Sequence, residues 1–255
     1  MHFLINPWAR PPTFRDALTS RVYYFGRKTM QKEKTRRTAI LVDGGYYRVR
    51  ARSLWGDKSA KDRAAEIYDY CMFHITQPTE PRDLYRIFYY DCPPMTREIV
   101  HPLTGSIVDY SCLPGTKWSN DLYMHIGEKR KVAVRMGELA ESNASYVLKD
   151  SSLKELLTKA KTVDDLTEKD FRIDVKQKGV DMRIGLDVAS LARDRLVDQI
   201  ILIAGDSDFL PVAKMARRNG VDFILDPMKQ FTKQSLRNHV DGIESYTNLI
   251  TKSTP

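Results

Sequence analysis

The sequence predicts an α/β protein in which helices cover both faces of a mostly parallel central sheet, a three-layer α/β/α sandwich. Three observations lead there. Ile200–Phe209 reads I-I-L-I-A-G-D-S-D-F, a continuous apolar run that breaks at Gly205 into two aspartates; uninterrupted apolar strands belong to parallel sheets buried on both faces. A second such run, Thr38–Asp43, ends in aspartate and is followed by Gly44-Gly45. Between strand-like segments lies helical periodicity, the alternation that parallel connections require.

In chain order, Thr38–Asp43 is the first strand, and the two glycines allow a sharp turn with close backbone approach. Ser59–Ile75 carries Ala64, Ile67, Tyr68, Cys71 and Ile75 at helical spacing, an amphipathic crossover helix. Asp83–Cys92 is a strand stopped by Pro93-Pro94. Within Met95–Asn120, Ile99-Val100 and Ile107-Val108 flank Pro102 and Gly105, the pattern of a hairpin insertion. Lys129–Leu139 reads as a strand with basic side chains, and Leu153–Ala160 as a short helix. Asp181 is placed to cap a helix through Met182, Leu186, Ala189 and Arg193. Phe209–Asn219 is a helix with Pro211 in its first turn and Gly220 as its stop. Val221–Asp226 is a further strand, and residues 229–247 close the domain with a helix and a loop.

Charge divides the chain. Residues 1–37 hold nine Lys or Arg against Asp16 and Glu33, whereas the remaining residues are nearly neutral, with 32 basic and 31 acidic groups. We expect a basic, flexible extension over 1–37 and one folded domain over 38–255 with an insertion near 94–120; Met30 is a second candidate start. A basic arm suits a polyanion or a solvated leader equally. No stretch approaches the roughly 20 apolar residues of a membrane span, so a soluble protein without a membrane partner is expected. The three cysteines form no C-x-x-C and have no histidine at zinc-binding spacing, which argues against a structural zinc or a disulfide framework and for reduced thiols in the cytoplasm.

Ligands in open parallel sheets bind beyond the carboxyl ends of the strands. Asp43, Asp206 and Asp208 are expected at that rim, with Asp181 or Asp187 from the segment after Phe171 as a further acid. Gathered carboxylates repel unless a cation neutralises them, and hard oxygen donors without His or Cys favour Mg²⁺ or Mn²⁺ over zinc. A divalent ion there suits hydrolysis of a phosphodiester by activated water. Arg48, Lys178, Ser207, Lys214 and Arg217 are candidate contacts to a phosphate backbone. Each assignment has a plainer rival: aspartates cap helices and shape turns, and basic residues solvate helix faces. Asp91 and Asp226 also end strands and are read as turn formers.

Three blocks of the sequence resemble the signature of NYN domains, part of the PIN-like nuclease superfamily. They are Ala39-Ile40-Leu41-Val42-Asp43-Gly44, Lys178-Gly179-Val180-Asp181 with Asp187 downstream, and Gly205-Asp206-Ser207-Asp208-Phe209. The resemblance spans about residues 38–245 and implies a Rossmann-like, PIN-like fold, an acidic metal site and RNA cleavage. By it, Asp43, Asp206 and Asp208 match acidic positions, and Asp181 and Asp187 both match the middle block. Ser207 matches a position suited to a metal-bound water or a phosphate. One departure stands out, because Tyr46 occupies the place where many relatives carry asparagine. The expected activity is that of a metal-dependent ribonuclease with RNA as partner; a homodimer is compatible with this. Two other readings remain open: an RNA-binding module with weak catalysis, and a small-phosphoester phosphatase, for which Gly45 stands where a second aspartate is needed.

Overall fold

The structure, a computed structural model, describes residues 35–250. The expected basic extension lies almost wholly outside these residues; its last two positions, Arg36 and Arg37, belong to the first strand. The central sheet has six strands: β1 (Arg36–Asp43), β2 (Arg82–Asp91), β5 (Val132–Met136), β10 (Gln199–Ile203), β11 (Asp222–Asp226) and β12 (Gly242–Ile243). Their spatial order is β12-β11-β10-β1-β2-β5, and every neighbouring pair is parallel.

Starting from β1, the chain first builds outward through β2 and β5, then returns to the other side of β1 and builds through β10, β11 and β12. The reversal falls between β1 and β10, the topological switch point where open α/β sheets bind ligands. The register Val42↔Ile203 sets the ends of these strands side by side, so Asp43 and the Gly205-Asp206-Ser207-Asp208 turn leave the sheet at one edge.

Side chains alternate between faces with period two. Ile40 and Val42 of β1 pack with α1 (Gly44–Trp55), α2 (Ala60–Thr76) and α3 (Pro114–Gly127), whereas Ala39 and Leu41 pack with α5 (Val180–Arg193) and α6 (Leu210–Arg218). All five residues of β10 are buried, and each such aliphatic side chain contributes about 1.5–3 kcal/mol relative to exposure. Ser59 caps α2 by accepting the Asp62 amide. Gly44 is required where α1 begins, since a Cβ there would lie 2.5 Å from Tyr89 Cζ and 2.6 Å from the Tyr90 carbonyl.

The expected hairpin is present as antiparallel β3 (Glu98–Val100) and β4 (Ile107–Asp109). Outside the main sheet, β6 (Glu138–Leu139) pairs with β9 (Gln177–Lys178), and β7 (Ser145–Leu148) with β8 (Phe171–Asp174). Two short helices, α4 (Asp150–Leu157) and α7 (Gln234–Arg237), complete the described chain.

One expected element is corrected. Asp181 does not cap α5; the cap position is Gly179, at φ +81°, and Asp181 sits within the first turn. The buried stripe is Ile184, Val188, Leu191 and Ala192, and Met182 and Leu186 face solvent. Two apolar stripes exist on this helix at similar spacing, and the one richer in branched aliphatics over its full length meets the sheet.

Candidate active site

Asp43 ends β1 and its carboxylate accepts the Tyr46 amide at 3.0 Å, capping α1. The cap explains its orientation but leaves its charge in a poor environment. Burial raises its pKa from an ordinary 3.8 to about 6, opposed by the Tyr46 amide and reinforced by the negative charges of Asp181 and Asp91. Asp181, on the first turn of α5, is raised by burial and then by Asp206 and Asp208. Beyond β10, Asp206 accepts the Asp208 amide at 3.0 Å, tightening the 3₁₀ turn Ser207–Phe209 that leads into α6. The fully inserted Phe209 anchors that turn in the core.

Three segments distant in sequence therefore place Asp43 in the field of Asp181, and Asp181 in the field of Asp206 and Asp208. Among the described residues none of the four forms an ion pair. Three other acids of these elements are paired: Asp91 with Arg48 at 2.9 Å, Asp187 with Arg135 at 3.4 Å, and Asp226 with His74 at 2.8 Å. Asp187 also accepts the Tyr90 hydroxyl at 2.7 Å. The two acids of the middle block are thus separated by their surroundings, Asp181 toward the uncompensated carboxylates and Asp187 toward Tyr90 and Arg135.

A cavity of about 480 Å³ opens here, lined by Asp43, Tyr46, Gly205, Asp206 and the segment 230–233. The Tyr46 ring lies on Gly205, and its hydroxyl donates to the Pro227 carbonyl at 2.6 Å. Neither contact was legible in the sequence, since only the parallel register brings these positions together.

The candidate phosphate contacts have different surroundings. Arg48 is held by buried Asp91, and Arg217 donates to Asp241 at 2.8 Å. Lys178 is exposed at the end of β9, and Lys214 is half-buried on α6. Ser207 opens the 3₁₀ turn. Asp91 and Asp226 are turn formers as expected: each accepts a following amide, Cys92 at 2.8 Å and Met228 at 2.7 Å respectively.

The donor chemistry suits a hard divalent cation, because Asp43 and Asp206 supply carboxylate oxygens to a cavity whose lining contains neither His nor Cys. Among the described residues, however, no three His, Cys, Asp or Glu groups converge closely enough to hold an ion by themselves. Mg²⁺ needs less than that, since it keeps several waters and takes one or two carboxylates together with substrate phosphates.

Strand order and an acid-lined switch point place the chain among the Rossmann-like α/β proteins whose sites lie at the carboxyl edge of the sheet. Comparison with known families then gives the particular one: the NYN domain profile matches residues 107–247, and the chain belongs to the NYN domain family. That family is nuclease-like, within the PIN-like group. The matched span contains Asp181, Asp187, Asp206 and Asp208 and begins after Asp43. Among solved structures, a protein of unknown function from Vibrio parahaemolyticus is similar at 16% identity and a TM-score of 0.41, covering 84% of this chain and 94% of that one. A noncanonic maltogenic α-amylase from Thermotoga neapolitana is similar at 11% identity and a TM-score of 0.21, covering 81% and 48%. No curated protein matches. Among the described residues no helix is long and apolar enough to cross a membrane.

Proposed function

We propose that this chain is a metal-dependent ribonuclease that hydrolyses RNA phosphodiester bonds, with Mg²⁺ or Mn²⁺ held by Asp43, Asp206, Asp208 and Asp181. One observation carries the reading: Asp43 and Asp206 line one cavity at the switch point, Asp181 lies in the field of Asp206 and Asp208, and among the described residues none of the four forms an ion pair, whereas Asp91, Asp187 and Asp226 are all paired.

Each residue has a definable task. Asp43, fixed by the Tyr46 amide, presents an immobile carboxylate at the sheet edge. Asp206 and Asp208, locked together through the Asp208 amide, present two more on a turn that Phe209 anchors. Asp181, on the first turn of α5, adds negative charge in the field of Asp206 and Asp208 and so raises the affinity of the site for cations. A divalent ion held there would lower the pKa of a coordinated water and stabilise the negative charge that develops on the phosphoryl oxygens. No covalent nucleophile is needed. Asp187, bonded to Tyr90, positions the α5 wall, and Lys178, Lys214 and the Ser207 turn supply contacts to the RNA backbone. The reduced thiols fit a cytoplasmic location.

The absence, among the described residues, of a three-carboxylate cage favours a second reading, an RNA-binding module with weak turnover. Cleavage of single-stranded and structured RNAs by wild type and Asp206→Asn, with Mg²⁺, Mn²⁺ or EDTA, separates the two. Products that require metal and vanish in the variant support the nuclease. RNA retention without products from either protein supports the module, and equal products from both refute the site.

A further inference from the structure

We infer that Phe231 is a stacking platform for an unpaired nucleobase, so that the site takes its RNA strand single-stranded at the scissile position. This rests on the ribonuclease reading and adds to it the form of the substrate.

Phe231 is the most exposed large apolar side chain among the described residues, at 83%. An aromatic ring left in water is a cost, and here the ring stands at a particular place. It lines the cavity that also contains Asp43 and Asp206, so one wall is acidic and another is aromatic. The adjoining Thr232 and Leu236 are buried and fix the base of this wall.

The segment that presents the ring is strained and firmly held. Met228 and Lys229 adopt φ of +45° and +60°, values uncommon for side chains with a Cβ. They form a tight turn closed by the Gln230 amide donating to the Pro227 carbonyl at 2.7 Å. Four groups impose it: Asp226 accepts the Met228 amide, Tyr46 donates to the Pro227 carbonyl, Arg50 donates to the Met228 carbonyl at 3.0 Å, and the Met228 side chain is buried in the core. Strained backbone persists where surroundings over-determine it, and it concentrates at ligand clamps. Tyr46 joins the two features physically, since its ring lies on Gly205 beside Asp206 while its hydroxyl holds the turn.

A nucleobase matches this wall because stacking needs a flat apolar face and tolerates any base, whereas the phosphate beside it is what a metal-charged acidic wall would take. Inside a duplex both faces of every base are covered by the neighbouring base pairs, which excludes the interior of a duplex from the platform. Base–aromatic stacking of about 1–3 kcal/mol corresponds to roughly a 5- to 150-fold change in affinity.

The test uses a short single-stranded RNA carrying 2-aminopurine, titrated in EDTA into wild type, Phe231→Ala, Phe231→Leu and Phe231→Trp, with scattering mass measured in parallel. Quenching of 2-aminopurine by wild type and Phe231→Trp, its loss in Phe231→Ala and Phe231→Leu, and roughly tenfold weaker binding of both are expected. A blunt duplex of the same sequence should bind all four proteins alike. Unchanged affinity and quenching in Phe231→Ala overturn the platform while leaving the nuclease intact if metal-dependent cleavage persists. A variant that changes mass but not RNA affinity overturns it in favour of a contact between copies. RNA bound by none of the proteins, together with no cleavage by wild type, overturns both readings.

Discussion

The ring of Tyr46 lies so close to Gly205 that a Cβ at position 205 would come within 2.3 Å of its Cε2 and 2.8 Å of its Cζ. This contact joins α1 to the end of β10 and fixes the exit of the Gly205-Asp206 turn. Gly205→Ala must push the ring away, and over-packing of this kind costs about 1–3 kcal/mol. We expect lower stability in urea and reduced cleavage. Tyr46→Asn removes the obstruction, so the double variant should be no less stable than Tyr46→Asn alone. Additive losses would show that the contact does not couple the two positions.

Asp43 gives a pH dependence of defined sign. Its folded-state pKa is raised to about 6, so between about pH 4 and 6 the folded chain keeps a proton that the unfolded chain has released. Stability therefore falls as pH rises through that window, by up to about 3 kcal/mol, and stays lower above it. In EDTA, Asp43→Asn should melt higher than wild type at about pH 8 and close to it at about pH 4, yet be inactive at both. Mg²⁺ should raise the melting temperature of wild type more than that of the variant, through binding to the folded state alone. A gap that does not change with pH would show that the carboxyl is not destabilised as argued.

How far the sequence reveals such a site depends on where its signals lie. Strands β1 and β10 were legible because an apolar run ending in aspartate is a local pattern, and the same locality marked Asp43, Asp206 and Asp208. The helix α5 was legible but the stripe it buries was not, since Met182 and Leu186 share the helical period of Ile184 and Val188 and only the sheet decides between them. The pairing of Arg48 with Asp91 was invisible for a different reason. Those positions are 43 residues apart, and nothing local shows that β2 lies beside β1. Phe231 carried no signal at all, because a lone aromatic in a loop is ordinary until a cavity is seen beneath it.

Arg48 consequently makes a prediction opposite to that of a phosphate contact. Asp91 is buried, and its pKa is raised by that burial against the opposing effect of Arg48. Arg48→Met leaves the carboxylate without its cation, a change that costs about 3–5 kcal/mol. Lys214→Ala, on a half-exposed helix face, should cost less than about 0.5 kcal/mol and weaken RNA retention instead. Urea titration and filter retention of both variants decide the matter. Normal stability with weakened retention in Arg48→Met would return this arginine to the RNA interface.

Beneath the aromatic wall, His74 ties the fold to the loop. Asp226 accepts the Tyr70 hydroxyl at 2.6 Å and His74 Nε2 at 2.8 Å on one oxygen, and the Met228 amide on the other. Burial of His74 disfavours its charge, but the hydrogen bond to Asp226 and the Glu244 carboxylate 3.9 Å from Nδ1 outweigh this and its pKa is raised. Burial raises Glu244, yet nearby His74 and the hydrogen-bonded Arg82 take it down to about 2. The stabilisation from His74 is complete below its unfolded pKa of about 6.5 and is lost as pH rises through the higher folded value. His74→Phe should remove that alkaline decline and, at about pH 6, cost about 3–5 kcal/mol by stranding Asp226. Because the same carboxylate holds the Met228 amide, hydrogen exchange at Met228 should accelerate in the variant more than at Ile201 in the sheet. Equal acceleration at both amides would mean that His74 supports the fold as a whole and not the turn that carries Phe231.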